Sequence, residues 1–275
     1  MDKRELTELD SHFAFGENWR EFSSLITEER ANDAVRSLAR LFPEESLAGH
    51  SMLDIGCGSG LSMLSALRLG VRRVDGIDLD PASVETADRL LSGQYPSEVW
   101  SVKECSVFEL ESASPAAYDI VYSWGVLHHT GSMWRAIKIS CSMVRPDGRL
   151  CIALYRRTPI CGLWSVEKRL YSRAPTWAQK AMRVIYKGIF FGGLLATGRS
   201  PSRYLANYKT ARGMDWHHDV HDWLGGYPYE SVTPEQVGKF LKQNGFVIER
   251  SFEHSPVAFG LFGSHCDEFV ARRVH

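Results

Sequence analysis

Leu53-Asp54-Ile55-Gly56-Cys57-Gly58-Ser59-Gly60 closes a short apolar run, Ser51 to Ile55, and is followed by Leu61, Leu64 and Leu67 on one helical face. The spacing predicts a strand, a glycine-rich turn and a helix, with Gly70 as the helix C-cap. Glycines at such a turn let the backbone approach a ligand with no Cβ in the way. The helix that starts after Gly60 presents unpaired N–H groups to that ligand. A dinucleotide fingerprint, GxGxxG, would need glycine where Leu61 stands. The pattern is instead DxGxGxG, with an acid two residues before the first glycine.

Working outward, residues 28 to 42 read as an amphipathic helix capped by Thr27, with Ala31, Ala34, Val35, Leu38 and Phe42 on one face. Downstream, Arg73 to Asp78 reads as a second strand, and Asp80-Pro81 as the N-cap and first residue of a helix ending at Gly93. Asp78 then stands at a strand end, where a carboxylate can accept both hydroxyls of a ribose. A third strand is expected over Trp100 to Val107 and a fourth over Tyr118 to Ser123. A helix from Met133 to Val144, a turn at Pro146-Asp147-Gly148 and a fifth strand, Leu150 to Tyr155, follow. Strand and helix alternating in this way predict an α/β fold, a parallel sheet with helices on both faces.

The rhythm breaks after Tyr155 and resumes at Thr233-Pro234-Glu235-Gln236, which has capping-box form. A helix to Gln243 and strands over Phe246 to Phe252 and Glu268 to Arg273 complete the chain. The interruption is about 75 residues long, far beyond an ordinary αβ connection, and at the edge of such a sheet it reads as a lid. Four parts are expected: an N-terminal flap and helix (1–48), a ligand-binding core (49–155), a helical cap inserted after strand five (156–230) and the C-terminal part of the core sheet (231–275).

The composition agrees with an ordinary globular protein. Of 275 residues, 44% are hydrophobic and 24% charged, and the net charge of −1 gives no general signature of polyanion binding. Cys57, Cys105, Cys141, Cys151, Cys161 and Cys266 form no CxxC pair, so a zinc knuckle or redox dithiol is not expected. Scattered thiols and a charged N-terminus without an apolar h-region suggest a cytoplasmic protein. Val184 to Thr197 is the stretch nearest to a membrane span, and it is too short and contains Lys187.

Four motifs in order, LDIGCGSG, GIDLD, YDIVYSWGVLHHT and PDGRL, resemble those of class I S-adenosylmethionine-dependent methyltransferases, in particular the branch of the ubiquinone-pathway O-methyltransferases. The resemblance covers residues 50 to 155. It implies a Rossmann-like seven-stranded sheet and S-adenosyl-L-methionine as cofactor. It implies that Asp54 and the loop Gly56, Cys57, Gly58 and Gly60 hold the methionine moiety and the sugar. Asp78 would bind the ribose hydroxyls and Leu79 would pack on adenine. Ser106 stands where many relatives have an aspartate facing the adenine amino group, and Val107 would form an apolar wall. Ser123 and Trp124 would end strand four beside the sulfonium. Metal-binding relatives carry acids where this chain has Gly125 and His128, so no metal is carried over.

Methyl transfer from a sulfonium chiefly needs alignment and exclusion of water, with a base when the acceptor is a hydroxyl. His128 and His129, just after strand four, are candidates. His217 and His221 share a helical face, as do His218 and Asp222; that spacing suits an acceptor wall, a metal or surface hydrogen bonds. The loop Gly225 to Tyr229 suits a site wall. From Arg156 to Gly213 the one acid is Glu167, among frequent Lys and Arg interleaved with Trp164, Tyr171, Trp177, Tyr186, Phe190 and Phe191. This reads as a cap with a solvated basic face, as a peripheral contact with an anionic membrane, or, least favoured, as a nucleic-acid surface. The aromatic segment Phe13 to Arg20 reads as a flap in which Trp19 excludes water from the cofactor. The expected function is His-assisted O-methylation of a small hydroxylated metabolite such as a phenol or quinol. The alternatives are an N- or C-methyltransferase, tRNA-directed ones included, and a non-catalytic cofactor-binding regulator.

Overall fold

The computed structural model describes residues 27–42, 46–212, 216–254 and 265–274. Helix α1 (Glu28–Ala39) opens with Thr27 accepting from the Arg30 N–H. The core then alternates: β1 (Ser51–Ile55), α2 (Leu61–Arg68), β2 (Arg73–Asp78), α3 (Pro81–Ser92), β3 (Trp100–Glu104), β4 (Tyr118–Trp124), α4 (Met133–Met143) and β5 (Val144–Tyr155). Four helices follow: α5 (Cys161–Arg173), α6 (Thr176–Ala196), α7 (Pro201–Arg212) and α8 (Trp216–Gly225). The chain closes with α9 (Pro234–Gln243), β6 (Phe246–Phe252) and β7 (Cys266–Arg273).

The seven strands lie in the order β3-β2-β1-β4-β5-β7-β6, and β7 runs antiparallel to both neighbours. The chain winds outward from β1 to β3 and then returns to β4 on the other side of β1. Ligands of open α/β sheets bind at such a reversal, beyond the carboxyl ends of the strands. Buried apolar residues cover both faces. Met63, Leu64, Leu67, Ala87 and Leu91 of α2 and α3 pack on one face, and Met133, Ile137, Val237 and Leu241 of α4 and α9 on the other.

Three local expectations change. The first helix ends at Ala39 rather than Phe42. Strand β3 stops at Glu104, because Ser106 caps a 3₁₀ turn over Val107–Ser112: its Oγ accepts from Phe108 N–H, and Glu109 reaches back to the Ser106 N–H. Pro146-Asp147-Gly148 does not separate α4 from a later strand but is a distortion within β5. Asp147 has φ +60°, and Gly148 lies so close to the Asp119 and Arg145 carbonyls that a Cβ would sit 2.8 and 2.9 Å from them.

The cap is anchored by its return. Val232 N–H donates to the Tyr155 carbonyl at 2.9 Å, Arg157 N–H to the Val232 carbonyl at 2.9 Å, and Glu230 N–H to the His128 carbonyl at 2.9 Å. The segment after α8 therefore lies against the carboxyl ends of β4 and β5. The cap has its own core, built on Trp164, Tyr171, Trp216, Val220, Leu224 and Tyr229. Its outward surface carries exposed Arg169, Arg173 and Lys180 and is also apolar: Leu163, Val166 and Leu170 of α5 and Trp177, Val184, Ile185, Ile189 and Leu195 of α6 are exposed. Among the described residues no helix is long and apolar enough to cross a membrane.

Candidate active site

The glycine turn is pinned to the neighbouring strand. Gly56 and Cys57 N–H both donate to the Ile77 carbonyl, at 2.8 and 3.0 Å. Gly56 has φ +76°, and a Cβ there would meet Val126 Cγ2 at 2.4 Å, so only glycine lets the loop after β4 close on this turn. Gly60, at φ +79°, is the N-cap of α2 and approaches Ala87 of α3, where a Cβ would meet it at 2.9 Å. Ser123 Oγ donates to the Ile55 carbonyl at 2.9 Å and joins the ends of β4 and β1.

Two carboxylates stand behind this turn. Asp54 is buried and takes the Ser62 hydroxyl. Burial, with a smaller contribution from Asp78, pushes its pKa up to about 7 against the Ser62 hydrogen bond. Asp78 accepts from Gly58 N–H and Asp80 N–H, each at 2.9 Å. Burial pushes it up to about 6, although these amides favour the anion. A carboxylate offers about four lone-pair sites, so Asp78 keeps capacity for two hydroxyl donors. Cys57 is buried, and its thiol is driven well above the usual range, first by burial and then by the two carboxylates. Leu79 packs at the edge of the core, Val107 is buried within it, and Trp124 is exposed at the end of β4. Trp19 lies outside the described residues.

His128 and His129 form a 3₁₀ turn after β4 and have opposite environments. His129 Nδ1 lies 2.8 Å from the Pro228 carbonyl. A carbonyl only accepts, so Nδ1 carries the hydrogen and Nε2 is the basic nitrogen. His128 is fully buried, and neither ring nitrogen has a partner. Burial, then the neighbouring His129 and Lys168, holds its pKa well below the usual value. Its ring lies 3.9 Å from that of Tyr155.

His221 is tied into the cap instead. Its Nδ1 is 2.7 Å from Tyr171 Oη and 2.8 Å from Arg183 Nη1, which joins α5, α6 and α8. His217 shares α8, but its side chain lies outside the described residues. Among the described residues no group of three or more His, Cys, Asp or Glu is placed to hold a metal. Beside the histidine turn are residues that sequence reasoning passed over: Tyr155 at the end of β5 and Lys168 on α5, with Trp223 and Tyr229 around the Lys168 ammonium. The available signal was the spacing Trp164, Lys168, Tyr171, which puts the lysine on the buried stripe of α5.

The raised carboxylates give a stability test. An acid whose pKa rises on folding stabilises the fold below its unfolded value and loses that contribution as pH climbs through the folded value. For Asp54 the full loss, from 3.8 to about 7, corresponds to about 4 kcal/mol. Asp54→Asn should therefore raise the melting temperature of the ligand-free protein by several degrees at pH 8 and hardly at all at pH 4. Thermal unfolding by circular dichroism checks this; equal shifts at both pH values, or a loss at pH 8, would contradict it.

Residues 26–250 match the family model of a methyltransferase domain. The ubiquinone biosynthesis O-methyltransferase of Xanthomonas euvesicatoria pv. vesicatoria (strain 85-10) is 33% identical over 153 residues, 56% of this chain and 62% of that protein. The match thus spans about three-fifths of that relative's length. Among solved structures, the S-adenosylmethionine complex of magnesium protoporphyrin IX methyltransferase from Synechocystis PCC 6803 superposes with a TM-score of 0.56. It has 16% identity and covers 99% of this chain and 98% of its own. The Burkholderia thailandensis 1,6-didemethyltoxoflavin-N1-methyltransferase superposes with a TM-score of 0.53 at 17% identity, covering 100% and 92%. These structures share the fold. With a family match over most of its length and the glycine turn, paired acids and sheet order described above, the chain belongs to the methyltransferase-domain family.

Proposed function

We propose that the protein transfers the methyl group of S-adenosylmethionine to an oxygen of a small hydroxylated acceptor. The observation that carries the oxygen assignment is His129, a base of defined tautomer at the strand end next to the glycine turn. The residues present fit the cofactor: Gly56, Gly58 and Gly60 all have positive φ, which shapes the turn without side chains, and Asp78 can take the two ribose hydroxyls. Asp54 would orient the glycine turn through Ser62, with Leu79 and Val107 beside the adenine and Ser123 and Trp124 at the sulfur end. When bound, the sulfonium supplies an electrophilic methyl group and a neutral thioether leaving group.

This chain's residues would supply the rest. His129 Nε2 takes the acceptor's hydroxyl proton as the new oxygen–carbon bond forms and the carbon–sulfur bond breaks. The Pro228 carbonyl holds the imidazole orientation and stabilises the imidazolium through Nδ1–H. Val126, packed on Gly56, helps keep water from between the two sites. The identity to a ubiquinone-pathway O-methyltransferase supports oxygen over nitrogen or carbon as the acceptor atom.

The cap supports a second element of the reading, peripheral contact with an anionic lipid surface. On α6 the exposed stripe Trp177, Val184, Ile185, Ile189 and Leu195 has the exposed Lys180 beside it, and Arg169 and Arg173 flank the exposed apolar residues of α5. An apolar face edged by cations is what an interfacial helix presents to a membrane. Lipid contact would also bring an apolar acceptor to the cap.

His129→Ala should lower kcat for a phenolic acceptor about 10²- to 10⁴-fold. Binding of S-adenosylhomocysteine, followed by calorimetry, should change less than twofold. Unchanged turnover would remove His129 from the mechanism. The protein should co-sediment with phosphatidylglycerol-containing vesicles, less so as salt rises, and the Ile185→Glu/Ile189→Glu variant should stay in solution. No sedimentation of the unaltered protein, or undiminished sedimentation of the variant, would rule out the lipid contact.

A further inference from the structure

The ring of His129 is held by the Pro228 carbonyl, 99 residues away in the segment that returns from the cap. The contacts that seat this segment therefore set where the basic nitrogen points. Some are backbone bonds: Glu230 N–H donates to the His128 carbonyl and Val232 N–H to the Tyr155 carbonyl, each at 2.9 Å. Another is made by a side chain. Met133 N–H donates to Glu230 Oε2 at 2.8 Å, across 97 residues of sequence.

Met133 is the first residue of α4, so its N–H has no acceptor within the helix. Ser132, the residue in the N-cap position, makes no side-chain cap bond. Glu230 thus caps α4 from a distant part of the chain, and a carboxylate suits the positive end of a helix. With its amide on His128 and its carboxylate on Met133, Glu230 grips both ends of the connection from the histidine turn to α4. Gly131, within that connection, lies against Pro228: a Cβ on it would sit 3.6 Å from Pro228 Cγ. Pro228 and Glu230 are separated by a single residue, so the carbonyl that holds His129 and the side chain that holds α4 belong to one short piece of chain. Glu230 is half-buried, and burial pushes its carboxyl above the ordinary range against the Met133 bond. An apolar residue would avoid that desolvation but would leave the α4 donor unmet.

We propose that Glu230 is a positioning residue for His129: its side chain, as the distant cap of α4, keeps the Pro228 carbonyl on Nδ1 and so fixes the tautomer and direction of the base. This deepens the O-methylation reading and rests on it for the role of His129. Glu230 touches neither cofactor nor acceptor in this account. What it contributes is an acceptor atom at the right reach, which holds the cap's return segment against the histidine turn. A base displaced by a fraction of its hydrogen-bond length loses alignment with the acceptor hydroxyl, and turnover falls although binding does not.

The test uses the full chain, catechol as methyl acceptor and three variants. Glu230→Ala removes the acceptor atom, Glu230→Asp keeps the charge but shortens the reach, and Glu230→Gln keeps an oxygen at the same reach. Glu230→Ala and Glu230→Asp should lower kcat by about tenfold or more, with KM for catechol little changed, and Glu230→Gln should recover most of the loss. Retained S-adenosylhomocysteine affinity by calorimetry shows that each variant is folded, and the Asp and Gln pair carries the test if Glu230→Ala does not fold. Nitrogen NMR of the imidazoles, with the His129 signal identified by its loss in His129→Ala, should show the Nδ1–H tautomer in the unaltered protein and in Glu230→Gln. The Asp and Ala variants should show mixed tautomers. A role in stability alone would lower the melting temperature of Glu230→Ala and leave kcat and tautomer unchanged, which would overturn the proposal. A Glu230→Asp variant as active as Glu230→Gln, or a Glu230→Gln variant as impaired as Glu230→Ala, would overturn it as well. Catechol methylation indifferent to Glu230 would remove the positioning role and leave O-methylation standing. A tautomer that changes in the Asp and Ala variants, with no methylation of catechol by the unaltered protein, would do the reverse.

Discussion

Two carboxylates at adjoining strand ends, Asp54 buried and Asp78 partly so, organise this molecule. Asp54 on β1 and Asp78 on β2 come close because their strands pair in register, Asp54 opposite Gly76 and Ile55 opposite Ile77. Burial opposes ionisation of both, helped by Asp78 at Asp54 and by Asp80 at Asp78, and the chain supplies only partial compensation: a Ser62 hydroxyl for one acid and backbone amides for the other. Such an arrangement is poor for stability and suited to a ligand that brings its own donors. The glycines between the acids make the turn possible, because Gly56, Gly58 and Gly60 all take positive φ and two of them pack directly on Val126 and Ala87.

The same turn connects the two halves of the site. Gly56 has no Cβ because Val126 occupies that space, and Val126 leads directly into His128 and His129. Ser123 bonds across to Ile55 a few residues earlier. The cofactor turn and the histidine turn are therefore packed as one unit. The cap is held to it from the other side, through Glu230 to the His128 carbonyl and Pro228 to His129. A shift of the cap would change the orientation of His129, so the cap and the proposed base are mechanically linked.

Much of this was legible in the sequence where local rules decide the outcome. Asp80-Pro81 caps α3 and Thr233 with Gln236 caps α9, as their spacing requires. The DxGxGxG turn and Asp78 stand where strand–turn–helix reasoning put them. What the sequence could not show depends on distant partners. The tautomer of His129 is set by a carbonyl 99 residues away. His221, read as part of an acceptor wall or metal pair, is held by Tyr171 and Arg183. Lys168 counted as one more surface cation, although its spacing from Trp164 and Tyr171 placed it inside. The outward apolar stripe of α6 was hidden by aromatics that fill the opposite face.

The measurement closest to the central claim is the proton balance of S-adenosylhomocysteine binding, obtained by calorimetry in buffers of different ionisation enthalpy. If the paired acids are partly protonated in the free protein and ionise against the ligand's hydroxyls, binding near pH 6.5 should release protons. The release should shrink in Asp78→Asn and vanish above about pH 8. Proton uptake, or no exchange at any pH between 5.5 and 8, would contradict the account.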